Sequence, residues 1–274
     1  MVKEIIREAN MKTKENKQIL LLVFLFVSML EMIKEFSIQL GVLGIFFMIL
    51  LAAVDHGTVV AGLKVTGQKE EPINPPADGF CGLQRLKELF STYIAMDLMT
   101  SVLVFFVLLV VGMIAFNTSN AAFWQSLIDQ IISEKQYGIS DTVNQFVNVL
   151  ALVIVVVSIL CNFIVDWLFF MAPYELEMTH QRGFKALKGA WEKGIGHRRE
   201  IFLLLLHYAW IGLVFSCLDY LTMVYISNYL LSSIASMVVF IVGIYCYKME
   251  YAVAKALLYQ RLSLRKEDVR DCFN

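Results

Sequence analysis

Six long apolar runs constrain this chain more than any other feature. A membrane-crossing helix needs about 20 mostly apolar residues. The sequence offers "QILLLVFLFVSML" at Gln18–Leu30, continuing to about Phe36. Further runs cover about Ile38–Leu63, Thr92–Phe116, Phe146–Tyr174, Ile201–Ile226 and Leu230–Tyr259. Of the 274 residues 58% are hydrophobic and only 17% charged, with a mean hydropathy of +0.66. A soluble domain carries about 25% charged residues. The expected fold is therefore all-α: a polytopic membrane bundle of six transmembrane helices. The first run is expected to be retained rather than cleaved as a leader, because "VSMLEMIKEF" holds no small-x-small site.

The basic residues between the runs set an orientation. Lys3, Arg7, Lys12, Lys14 and Lys17 precede the first run. Lys64, Lys69, Arg85 and Lys87 fill the second loop, and Arg182, Lys185, Lys188, Lys193, Arg198 and Arg199 the fourth. Arg261, Arg265, Lys266 and Arg270 lie in the tail. The first and third loops hold one lysine each, Lys34 and Lys135, and the fifth holds no basic residue. Lys and Arg accumulate on the cytoplasmic side, so both termini and the even loops are expected there. The organisation expected is a basic N-terminal segment (1–17), a six-span domain (18–261) and a cytoplasmic tail (262–274). The net charge of −1 excludes a globally basic nucleic-acid binder.

The fourth loop, "MAPYELEMTHQRGFKALKGAWEKGIGHRRE", carries the densest pattern. Pro173 sits where the fourth span leaves the bilayer and suits a span-end kink. Phe184, Leu187, Trp191 and Ile195 recur on one helical face, with Gly194 and Gly196 marking a helix end. Together with Arg182, Lys185, Lys188, Lys193, Arg198 and Arg199, these residues describe a basic helix lying in the membrane interface. Anionic lipid is its expected partner, at about 1 kcal/mol per cation near the surface. The alternative is a helix that packs beneath the bundle as a lid. The second loop repeats the pattern: a proline-rich turn, then Leu83, Leu86 and Phe90 on one face of a second amphipathic helix.

Ionisable residues inside spans are costly and are candidate functional groups. Asp55, His56, Asp97, Asp166, His207, Lys248 and Glu250 all fall within about 17 Å of the cytoplasmic ends of their spans. They describe an intramembrane polar layer that either glues helices together or lines a cavity. Asp166 and His207, on sequential spans at similar depth, are the expected pair. Asp219 stands apart near the outer end of the fifth span. Glu175, Glu177, His180 and His197 match no known metal spacing, and the scattered cysteines form no CxxC pair. No P-loop, GxSxG, HExxH or dinucleotide fingerprint is present, so no metal or cofactor is expected.

The stretch from Ala172, Pro173 and Tyr174 through Ala186, Leu187, Lys188 and Trp191 to Leu203–Leu206 resembles an uncharacterised family of bacterial six-span membrane proteins. "HGTVVAGLKVTGQKEEPINPPADGF" is similar to a second block of that family. The likeness runs chiefly from about Asp55 onward. The family is similar to the membrane domain joined to some glycerophosphoryl diester phosphodiesterases. The phosphodiesterase domain itself is absent, so its activity does not transfer. His207 departs from the small residue the family places there. The resemblance implies a bacterial cytoplasmic-membrane protein. Three functions remain open: a non-enzymatic accessory, regulatory or envelope-stress component acting through lipids, a membrane-protein partner or a second copy of itself; a small transporter component; and a lipid-headgroup enzyme.

Overall fold

The computed structural model describes residues 1–37, 51–118, 141–226 and 229–271. All regular structure among them is helical. In chain order the helices are α1 (Val2–Glu15), α2 (Lys17–Ser37), α3 (His56–Val65), α4 (Pro75–Gly79), α5 (Cys81–Gln84) and α6 (Leu86–Thr118). They continue with α7 (Asp141–Phe169), α8 (Ala172–Thr179), α9 (Phe184–Gly194), α10 (Arg198–Tyr225) and α11 (Tyr229–Gly243). A π-helical turn, Ile244–Lys248, joins α11 to α12 (Met249–Asp271).

Four segments are long and apolar enough to cross a membrane: Leu86–Ile114, Leu150–Thr179, Arg198–Thr222 and Leu231–Leu264. They cover the third to sixth expected spans. The first expected span is α2, which meets α1 at a bend of 92°. The second, about Ile38–Leu63, falls mostly outside the described residues, and its described end is a turn followed by the ten-residue α3. The second expected amphipathic helix is not a separate rod. Its residues divide between α5 and the first turns of α6, with a break at Arg85.

The chain forms two compact units, Met1–Ala95 with Trp167–Asn274, and Met96–Asp166. The second unit comprises most of α6 and α7. Most of its described side chains are apolar and uncovered, as at Phe105, Phe106, Leu152 and Ile159. Such a surface matches hydrocarbon rather than water.

The first unit holds the core. Helix α1 was expected only as a basic segment, yet it is amphipathic. Ile5, Ala9 and Thr13 recur every four residues and are buried where α1 packs along α12. Glu4 in its first turn and Lys12 and Lys14 in its last complement the helix dipole. Arg261 ties α12 to Glu8 at 2.7 Å and to Glu4 at 3.3 Å. On α2, Leu20, Val23, Phe24, Val27 and Leu30 face inward, whereas Ile19, Leu22, Leu25 and Met29 are exposed. The helix is apolar on both sides but covered on one.

Small residues let the backbones approach. A Cβ on Gly62 of α3 would stand 3.0 Å from the Ala252 carbonyl and 3.3 Å from Ala256 Cβ on α12. The spacing of Ala252 and Ala256 is the small-xxx-small arrangement that permits close helix contact. At Gly82 the approach is tighter still: a Cβ would lie 2.0 Å from the Ala53 carbonyl oxygen. Gly82→Ala must push α5 away from the 51–55 turn. We expect a loss of about 1–3 kcal/mol, read as a lower melting temperature of the purified protein than for Gly67→Asn, where the chain is open and left-handed (φ 78°).

Candidate functional site

Pro173 stands in the first turn of α8, after a two-residue turn that ends α7 at Phe169. At this position its missing N–H is no loss, because first-turn amides have no partner within the helix. The short helix that follows presents two buried carboxylates, Glu175 and Glu177. Two residues apart on a helix, they point in different directions. Each meets its own cation.

Glu177 is the centre of the larger cluster, and its side chain is 1% exposed. His56 Nε2 donates to Oε2 at 2.8 Å. Arg85 Nη1 donates to both oxygens, at 3.0 and 2.9 Å. Lys69 Nζ donates to Oε1. The four donor contacts match the roughly four lone-pair positions of a carboxylate. His56 comes from the start of α3, Lys69 from the loop after it, and Arg85 from the break between α5 and α6. Gly67 (φ 78°) turns that loop, and Gln68 pins it by donating to the Ala256 carbonyl at 3.0 Å.

The partners also settle the state of His56. An ionised carboxylate only accepts, so Nε2 carries a proton. Nδ1 lies 3.0 Å from the Tyr93 hydroxyl and accepts from it. A neutral imidazole satisfies both contacts. Charge counting agrees, because Lys69 and Arg85 already outweigh Glu177. Arg85 shares its excess with Glu88, whose Oε2 accepts from Nε at 3.1 Å. Burial alone would lower the Arg85 pKa; the Glu177 carboxylate outweighs it and raises the pKa. Cys81, whose Sγ is 3.8 Å from Arg85 Nη1, is buried, and burial pushes its thiol up. A protonated, buried thiol is a poor nucleophile.

Glu175 pairs with Lys193 of α9 at 2.5 Å. Lys193 also donates to Tyr259 Oη at 3.2 Å and contacts Ser263 Oγ at 3.4 Å, so α9 is bolted to α12. Burial would lower the Lys193 pKa, and the hydrogen bond to Glu175 raises it instead. Gly189 makes room: a Cβ there would be 3.2 Å from Glu175 Oε2.

The expected polar layer resolves into several environments. His56 belongs to the Glu177 cluster. Glu250 accepts from Tyr208 Oη at 2.8 Å and from Asn10 Nδ2 at 2.7 Å, linking α12 to α10 and α1. Lys248 lies over the Phe240 ring at 4.2 Å. The Asp55 carbonyl accepts from Thr58 Oγ1 at 2.8 Å while its side chain faces outward. His207 is exposed, with its ring edge-on to Tyr208 at 5.0 Å. Asp97 and Asp166 are exposed residues of the second unit. The expected Asp166–His207 pair thus draws one member from each unit.

The expected interface residues also divide. Phe184, Trp191 and Ile195 are 66%, 42% and 60% exposed, whereas Leu187 is buried with Ala186 and Ala190. Lys185 is exposed, and Lys188 faces Glu192 at 3.9 Å. Arg182 lies 3.7 Å from Glu88. Arg199 is exposed. Arg198 turns inward, donating to the Leu168 carbonyl at 2.7 Å and the Trp167 carbonyl at 3.1 Å at the end of α7. Its guanidinium rests on the Trp191 ring at 4.5 Å. Trp167 Nε1 returns a bond to the Arg198 carbonyl at 2.9 Å.

Sequence reading passed over Glu177, Lys69, Arg85 and Tyr93 as a group. The available signal was a pair of glutamates embedded among apolar residues beside loops rich in cations. Among the described residues no cluster of three or more metal-ligating side chains occurs. No protein-family model matches the sequence, and no curated protein or solved structure matches it.

A carboxylate with every acceptor position filled is a clamp and has no free lone pair for proton abstraction. Glu177→Gln keeps its shape but removes the countercharge of Lys69 and Arg85. Removing one member of a fully buried ion pair costs about 3–5 kcal/mol. Partial water access to Lys69 and Arg85 reduces that to about 2 kcal/mol. The expected result is a clear fall in melting temperature, with Glu88→Gln at the exposed rim nearly silent.

Proposed function

We propose that this chain is a non-enzymatic, multi-pass protein of a bacterial cytoplasmic membrane with both termini cytoplasmic. It acts as an accessory, regulatory or envelope-stress component through contacts with anionic lipid and membrane-protein partners. The observation that carries this reading is the divided surface of α9. Ala186, Leu187 and Ala190 anchor the helix to the first unit, while Phe184, Trp191 and Ile195 stay uncovered beside Lys185 and Lys188. Exposed aromatics beside lysines suit the headgroup boundary, where the rings enter the acyl region and the cations meet phosphates. In water the same surface would leave a large apolar patch unprotected.

The six-span arrangement and cytoplasmic termini continue the lysine and arginine bias of the loops. The likeness to the bacterial six-span family, carried by the Ala172–Trp191 block, fits this reading and brings no activity with it. An enzymatic reading finds little support at Glu177, whose oxygens are fully engaged, or at Cys81. A transport reading would require polar groups free to bind a solute. His56 and Glu250 are instead spent on helix-to-helix contacts.

Two measurements test this proposal. In vesicles of dioleoylphosphatidylglycerol with brominated acyl chains, the Trp191 emission, taken as the difference between wild type and Trp191→Phe, is expected to be quenched. Quenching by aqueous iodide instead would make α9 a solvent-facing lid. Alkaline phosphatase fused after Asn274 is expected to be inactive; strong activity would place the C-terminus outside.

A further inference from the structure

A cavity of about 550 Å³ lies at the elbow between α1 and α2. Helix α1 ends at Glu15, Asn16 leaves the helical conformation (φ −109°, ψ 17°), and α2 departs at 92°. Asn16 braces the corner by donating from Nδ2 to the Lys12 carbonyl at 3.0 Å. The cavity is lined by Lys14, Lys17, Gln18, Ile19, Leu21 and Tyr245, with Glu15 at the same corner. Its volume is that of an ordinary small-molecule site.

Three features of its lining point to one class of ligand. Lys14 and Lys17 bring two positive charges, and neither forms an ion pair among the described residues. Lys17 Nζ is seated 3.3 Å above the Tyr245 ring, so it is held in place by a group that offers no countercharge. Tyr245 is delivered by the π-helical turn, where the extra residue per turn shifts the register between α11 and α12. Beside the polar corner of Glu15, Asn16 and Gln18 the lining turns apolar at Ile19, Leu21 and Tyr245: Ile19 and Tyr245 are roughly half exposed, and the uncovered side of α2 continues with Leu22 and Leu25. Cations at one end and exposed hydrocarbon at the other are complementary to a lipid. Glu15 disfavours a bare multivalent anion and suits a headgroup with hydroxyls that can donate to it.

We propose that the α1–α2 elbow binds the headgroup of an anionic phospholipid of the phosphatidylglycerol type, with the phosphate at Lys14 and Lys17 and the glycerol and first acyl carbons along Ile19 and Tyr245. The site rests on the membrane reading above and is independent of the lipid contact of α9.

The test is a lipid titration of the full-length protein in mild detergent, read by native mass spectrometry. Dioleoylphosphatidylglycerol is expected to bind at one site about tenfold more tightly than dioleoylphosphatidylcholine. K14Q/K17Q is expected to abolish that preference while leaving dioleoylphosphatidylcholine unchanged. K14R/K17R, which keeps the charge, is expected to retain it, and Tyr245→Leu to weaken it severalfold by unseating Lys17. The proposal falls if K14Q/K17Q binds the anionic lipid as wild type does. It also falls if inorganic phosphate displaces the lipid at equal concentration, which would make this a free-phosphate site. If K14Q/K17Q does not fold, an unchanged affinity in Tyr245→Leu overturns the proposal. K185Q/K188Q on α9 is expected to leave the tight site intact, so failure of the α9 contact and failure of the elbow site are told apart.

Discussion

A carboxylate removed from water must be given donors, and Glu177 shows how much of the first unit is organised by that requirement. Desolvating an ion costs several kcal/mol, which only close, well-aligned donors offset. Those donors come from α3, from the loop after it and from the break before α6. None can move without leaving Glu177 short. The cluster therefore fixes the position of α8 against segments about a hundred residues away in sequence. The unusual local features nearby follow from the same demand. Gly67 turns the loop that carries Lys69, and Arg85 interrupts the helical run at the point where its side chain must reach inward.

The other joints work on the same logic with different chemistry. At the ends of α7 and α9 the unpaired carbonyls of the last turns need donors. The planar Arg198 guanidinium reaches three of them while lying on the Trp191 ring. Lysine, a compact cation without that fork, could not make the same set. Gly194 leaves room for Arg198: a Cβ there would stand 2.9 Å from the guanidinium carbon, so the arginine would have to shift. Elsewhere in the unit, α3 and α12 meet through Gly62, Ala252 and Ala256, where the absence of bulk permits contact. Polar side chains and small residues together hold these helices, several of which, like α2, are apolar on their uncovered side as well. In such a setting apolar character alone cannot select a partner helix.

This arrangement separates the surfaces available for function from those consumed by structure. His56, Glu250 and Arg198 look like candidate functional groups when read along the chain, and in the fold they are occupied. Surfaces with uncovered chemistry lie at the periphery: the aromatic and basic side of α9, and the lysine corner between α1 and α2. Both combine cations with exposed hydrocarbon. The proposed lipid contacts rest on these two surfaces.

The sequence by itself determined the helical class and, among the described residues, the positions of four span-length apolar segments, because each is a local property of about twenty consecutive residues. It also marked Gly194 as the end of α9, since that is a rule of backbone geometry that needs no distant neighbour. The amphipathic side of α1 was written in Ile5, Ala9 and Thr13 but masked by the lysines around it. What only the tertiary structure decided is which polar residues meet. Glu177 and Glu175 are two residues apart and indistinguishable in the chain, yet one collects His56, Lys69 and Arg85 and the other Lys193, which reaches on to Tyr259 of α12. Of the expected interface side chains, Leu187 and Arg198 were turned inward and Phe184 and Trp191 outward. These choices depend on helix rotation and on contacts between residues far apart in sequence, which periodicity along a single helix does not encode.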